Sequence, residues 1–320
     1  MAKTLIRLNS NTIIFLSNFH FNFVRSYTST LPKIKEKQTS AEYCLESVRR
    51  YDKENYLCTL LLDNSLRNCS LAVRAFNIEV ARIQDLVSEP KIGLMRFQFW
   101  DDAITALFDK NGTKKIPNHP VMNELRKITQ RHKLSKRYFQ RLITSRRNQL
   151  TSPVFSSLEN LETYMENGVS SIYYLLLESN DIQNIHADHV ASHLGKAQGL
   201  ANNLRSIQHG AEQGQIFIPR DLLMHYNISE EQILRKRISK QLKDAVFDIA
   251  TKANQHLEKA RSLKENLPPG ATPIFLPGIA VDLYLKQLRQ HDFDVFSANL
   301  RKSNPILPFI LWWNLKRSKY

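Results

Sequence analysis

Carboxylates four residues apart on a helix share one face and can hold divalent cations, which take hard oxygen ligands. The 320-residue sequence offers Asp85 and Glu89 at that spacing, with Pro90 directly after them, so the pair falls at a helix end. A competing reading of Asp85 is a helix-terminal charge paired to a nearby Arg. Imidazoles on one face can hold zinc. His186, His189 and His193 stand at i, i+3 and i+7 beside Asp188, without an HExxH motif. Two readings fit them, a zinc-ligating face or an amphipathic helix with solvated histidines, and the absent signature favours the second. Cations interleaved with aromatics can hold nucleic acid. Arg131, Lys133, Lys136, Arg137, Arg141, Arg146 and Arg147 flank Tyr138 and Phe139, with Arg49 and Arg50 further upstream. Helical spacing spreads those charges around a helix, and no nucleic-acid-binding signature accompanies them. A solvated basic face turned to anionic lipid fits better, and no nucleic-acid partner is expected. No glycine-rich phosphate loop and no GxSxG nucleophile occur.

The elements that position these residues read as helices. Hydrophobic residues make up 42% and charged residues 23%, enough for a core and too apolar for disorder. The formal charge of +15 points to an anionic partner. Cys44, Cys58 and Cys69 have no CxxC spacing, which fits a reducing compartment. From about Ala41 apolar residues recur every three or four positions. Helices are predicted over 120–149, 158–179, 185–207, 229–264 and 281–289. Pro90, Pro153, Gly214 and Pro277-Gly278 are read as stops, and 110–118 as a loop. The prediction is all-α, one large helical domain over 41–320. Ala187, Ala191, Gly195 and Gly199, with Asn203 next, line one helix face with small residues, so a neighbour can approach closely or a ligand can lie along the groove. No Asp or Glu precedes Glu36, while Lys3, Arg7, Arg25, Lys33 and Lys35 do. That composition predicts a mitochondrial transit peptide over 1–27, with disorder to about 35.

Two segments carry a resemblance. One runs Arg74-Ala-Phe-Asn-Ile-Glu-Val-Ala-Arg-Ile-Gln-Asp85 and on through Val87-Ser-Glu-Pro90 to Arg96-Phe-Gln-Phe-Trp100. The other runs Leu194-Gly-Lys-Ala-Gln-Gly-Leu-Ala-Asn202-Asn-Leu-Arg205, then Gly214-Gln-Ile-Phe-Ile-Pro219. With Val48-Arg-Arg-Tyr-Asp52 these resemble the squalene/phytoene synthase family of head-to-head prenyl synthases, over about 42–290. The resemblance implies a prenyl-synthase bundle around a central cavity. It also implies Mg²⁺ held by two D-x-x-x-D motifs on facing helices, to absorb the charge of a departing diphosphate. The matching positions are Ala81 and Asp85 in the first motif and Ser206 and Gly210, after Asn202 and Arg205, in the second. One of the four carboxylates remains. No Asp or Glu lies between His189 and Ala211 to replace the missing pair. Ser170 and Tyr173 occupy positions where the family has cavity-lining glycines, and Gly195 and Gly199 are further cavity-lining candidates.

The Val-Ser-Glu-Pro and Arg-x-Gln-x-Trp runs resemble the mitochondrial branch of that family, which serves assembly of NADH:ubiquinone oxidoreductase (complex I). This implies a non-catalytic protein without metal or cofactor, peripheral on the matrix face of the inner membrane. Its implied partners are a complex I assembly intermediate, at a membrane-arm subunit, and anionic lipid. Two alternatives are a lipid- or isoprenoid-binding protein using the old cavity and an active prenyl-diphosphate transferase. At the C-terminus, residues 306–315 are densely apolar and Lys316, Arg317 and Lys319 follow. Trp312, Trp313, Lys316 and Arg317 are candidates for membrane contact. The competing reading is a final helix docked on the bundle with a solvated basic tail.

Overall fold

Thr39 opens the first helix with a capping box: its hydroxyl accepts from the Glu42 N–H at 3.2 Å, and the Glu42 carboxylate accepts from the Thr39 N–H at 2.8 Å. The computed structural model describes residues 38–320 except Ser88 and Ser303, so the transit-peptide reading of 1–27 lies outside the described residues. Among the described residues there is no strand. The helices are α1 (Ser40–Tyr51), α2 (Lys53–Leu60), α3 (Asn64–Ala81), α4 (Pro90–Leu107), α5 (Pro120–Arg131), α6 (Lys136–Thr151) and α7 (Leu158–Met165). Then come α8 (Ser171–Ser179), α9 (Ile185–Glu212), α10 (Arg220–His225), α11 (Glu230–Leu234), α12 (Lys240–Ser262), α13 (Pro277–Gln290) and α14 (Leu307–Lys316). The long α9 runs through the centre, packed against α7, α8, α12 and α13. One continuous core surrounds it, and a smaller apolar cluster joins α2, α13 and α14.

Several boundaries depart from the sequence reading for local reasons. Pro90 and Pro277 begin helices rather than stop them, because a first-turn residue has no helical N–H to lose. The helix predicted over 120–149 is broken between His132 and Ser135. Glu178, 43 residues away, accepts from the Ser135 N–H and hydroxyl and so starts α6 afresh. The helix predicted over 229–264 breaks where Lys236 takes a φ of 52°, and Ser239 then caps α12 by accepting from Leu242 N–H. The helix predicted over 158–179 contains a π-turn, Glu166–Ser170, between α7 and α8.

Candidate functional site

α3 ends at Ala81, and Asp85 follows in a 3₁₀ turn, Gln84–Leu86. Glu89 is the N-cap of α4, so Asp85 and Glu89 do not share a helix face. Asp85 keeps one edge open to solvent. Crowding by protein raises its carboxyl above the usual range, and the charges of His209 and Arg82 oppose that rise. Arg205, Ser206, His209 and Gly210 lie in the last turns of α9.

The positions read from the sequence as the second motif are taken up by packing and hydrogen bonds. The Ser206 hydroxyl donates to the Asn202 carbonyl at 2.8 Å. Arg205 donates to both Glu54 oxygens, at 2.7 and 3.1 Å, and its guanidinium lies 4.3 Å from the Tyr284 ring centroid. A Cβ on Gly210 would lie 2.6 Å from the Phe217 ring and 2.9 Å from the Gln215 carbonyl. A carboxylate there needs both to move.

The four candidates for the cavity wall touch one another or their neighbours. Ser170 is fully buried, and a Cβ on Gly195 would overlap its Oγ and meet its Cα and N at 2.6 and 2.7 Å. A methyl group is thus already too large at 195. Gly199 faces Met165, whose Sδ would stand 2.5 Å from a Cβ. Tyr173 is 1% exposed and its hydroxyl donates to Gln198 Oε1 at 2.8 Å. Gln198 donates to Asn55 at 3.1 Å, and Asn55 donates to Asp52 at 2.7 Å. Asp52 stands 3.6 Å from the buried Arg74 guanidinium. Burial raises the Asp52 carboxyl, while Arg74 and Asn55 pull it back. Sequence reading missed this chain of polar groups through the bundle. Its one signal was Arg74, a cation inside the apolar run Leu71–Phe76, which demands a buried acceptor.

The histidines of α9 do not converge. His193 Nδ1 lies 2.8 Å from His256 Nδ1, and His256 Nε2 bonds Glu162. Among the described residues no group of three His, Cys, Asp or Glu side chains is placed to hold a metal ion. The basic stretch turns partly inward. Tyr138 and Phe139 are buried, Arg137 lies over the Tyr138 ring, and Arg146 donates to Asn77 at 2.6 Å and to the Leu142 carbonyl at 3.1 Å. At the other end of the chain, Trp312 and Trp313 are exposed on α14, with Lys316 and Arg317 just beyond.

Residues 48–305 match the sequence profile of squalene/phytoene synthase. The chain belongs to the squalene/phytoene synthase family. Within it, the chain is 41% identical to the Bos taurus protein NADH dehydrogenase (ubiquinone) complex I, assembly factor 6, over 87% of this chain and 82% of that one. It is 23% identical to 15-cis-phytoene synthase of Synechococcus elongatus, over 80% of this chain and 85% of that one. A crystal structure of a dehydrosqualene synthase with a ligand superposes with a TM-score of 0.74 at 18% identity, over 87% of this chain and 95% of that one. The fold is therefore the helical one of that family. At the positions read from the sequence as the two metal motifs, the residues present do not suit a Mg²⁺ clamp: Ala81, Ser206 and Gly210 supply no oxygen side chain that could bear charge, and Phe217 closes the space at Gly210.

Proposed function

We propose that this chain is a non-catalytic assembly factor for mitochondrial complex I, built on a degenerate prenyl-synthase fold. The carrying observation is that Asp85 stands alone where the family's chemistry needs two pairs of carboxylates across a diphosphate, with Ala81, Ser206 and Gly210 at the other matching positions. Supporting it, the name complex I assembly factor 6 belongs to a relative at 41% identity, while the phytoene synthase stands at 23%. In this reading the protein works at the matrix face of the inner membrane, as a peripheral protein on anionic lipid. Its client is an assembly intermediate containing a membrane-arm subunit. Among the described residues no helix is long and apolar enough to cross a membrane. The packing of Tyr173 against Gln198 favours this reading over storage of a prenyl tail.

The test is complementation. Cells lacking the chain are expected to lose complex I while the other respiratory complexes stay near normal. The wild-type chain and Asp85→Asn are both expected to restore it. An equal fall in every complex refutes the assembly role. A folded Asp85→Asn chain that restores nothing refutes the non-catalytic one.

A further inference from the structure

The geometry points to α14 as the element that seats this protein on an anionic lipid surface. The inference rests on the peripheral-membrane reading above and adds to it the side chains and the lipid chemistry. Leu307 and Leu311, one turn apart, are 5% and 0% exposed and pack with Leu57, Cys58, Leu276 and Ile279. On the outward side Ile306, Phe309, Trp312 and Trp313 are 60%, 63%, 41% and 48% exposed. The helix is thus docked by one face and presents a second apolar face to the outside, so the two readings of this segment hold together.

The outward aromatics are held in place by the helix's packed face and by its C-terminal end. The leucines fix its body. Past its last turn Tyr320 is buried: its hydroxyl donates to the Ala260 carbonyl at 2.9 Å, and Arg261 Nε donates to its main-chain oxygen at 3.0 Å. Ten residues of helix extend about 15 Å, half of what spanning a bilayer takes. The element can lie in a surface and cannot cross it.

Charge identifies the surface. From Val295 to Tyr320 there is no Asp or Glu, and Lys316, Arg317 and Lys319 are exposed and in no ion pair among the described residues. The Arg317 guanidinium lies 5.7 Å from the Trp313 ring centroid. In chain order, purely apolar Ile306 and Phe309 come first, then the indoles, then the cations. With the helix lying in the surface, its outward apolar side chains meet the acyl boundary, the indoles bury their rings and keep their N–H wet, and the flanking cations reach phosphate. An acidic protein would satisfy the cations and leave the exposed apolar side chains Ile306 and Phe309 uncovered.

Fluorescence of the full chain tests this directly. Trp100 is 5% exposed and the sequence has three Trp, so any lipid contact is reported by Trp312 and Trp313. Vesicles of phosphatidylcholine with cardiolipin, carrying brominated acyl chains, are expected to quench and blue-shift the emission. Vesicles of brominated phosphatidylcholine alone are expected to do neither. Lys316→Gln should weaken partitioning about fivefold, the equivalent of about 1 kcal/mol per cation near an anionic leaflet. Trp312→Ser with Trp313→Ser should abolish the contact at unchanged Tm. If that variant melts early, quenching of the unaltered chain decides alone. Vesicle binding without quenching overturns the assignment to α14 and leaves the peripheral reading standing. No binding to any vesicle overturns both. Saturation by polyglutamate in place of vesicles overturns the lipid in favour of an acidic protein.

Discussion

Gly195→Ala adds one methyl group where α9 crosses the π-turn, and the structure fixes its consequence. The new Cβ would lie 2.6 Å from Ser170 Cα and 2.7 Å from Ser170 N, both main-chain atoms that cannot rotate away. Overpacking a core costs about 1–3 kcal/mol, and main-chain contact belongs at the upper end. Against that, Ala is about 1 kcal/mol better than Gly inside a helix. The net expectation is a loss of about 1–2 kcal/mol. In a chain of this length each kcal/mol moves Tm by about 2 °C, so Tm should fall by about 2–4 °C. Gly199→Ala is the control. Its Cβ would meet the Sδ, Cγ and Cβ of Met165 at 2.5, 2.6 and 2.7 Å. Rotation can carry Sδ and Cγ away but leaves Met165 Cβ where the main chain holds it, so Tm should fall here too, by less than at Gly195, where two main-chain atoms are met. Scanning calorimetry on the two variants checks the pair. A Tm for Gly195→Ala equal to or above wild type, or a larger loss at Gly199, refutes the close-packing account.

Tyr173→Phe removes the donor to Gln198 Oε1 inside the bundle and should cost about 1–3 kcal/mol, read as a lower denaturant midpoint at unchanged slope; an unchanged midpoint would mean that Gln198 finds another donor. Burial pushes the His193 imidazole down to about 4, with the charges of His256, Lys196, Lys259 and His189 adding to it. The unfolded chain takes up that proton near pH 6.5 and the folded chain does not. Stability from this group is therefore full above about pH 6.5 and is lost as pH falls toward 4. His193→Gln should flatten the fall of Tm across that window, and a variant with the wild-type slope would remove His193 as its source.

What the sequence revealed and what it concealed divide along range. Apolar spacing exposed the helices around Leu45 and Leu194, the small-residue row on α9 and the loop at 110–118, since each is written within a few turns of chain. That Ala81, Ser206 and Gly210 carry no carboxylate is legible directly, because it is a matter of residue type. The breaks at Ser135 and Lys236 were not. One depends on Glu178, 43 residues away, and the other on a left-handed residue that carries no glycine to announce it. The His193–His256 pair, 63 residues apart, and the Arg74–Asp52 contact likewise exist only once α9, α12 and α3 are packed. The histidines at 186, 189 and 193 shared a face as expected. The partner of His193 came from another helix.

The π-turn at Glu166–Ser170 sets the angular phase of everything that follows it. Such a turn is one residue longer than the α-turn it replaces, and each residue is worth about 100° of rotation. Upstream of it Met165 meets Gly199; downstream Tyr173 reaches Gln198 and Glu178 reaches Ser135. Both sets of contacts are met at once because the extra residue absorbs the mismatch between them. Deleting any one residue of 166–170 would make a smoother helix and swing Tyr173 and Glu178 away from their partners together. Here the length of the segment carries as much structural information as its side chains, and a shift in reading of one residue would be costlier than most replacements.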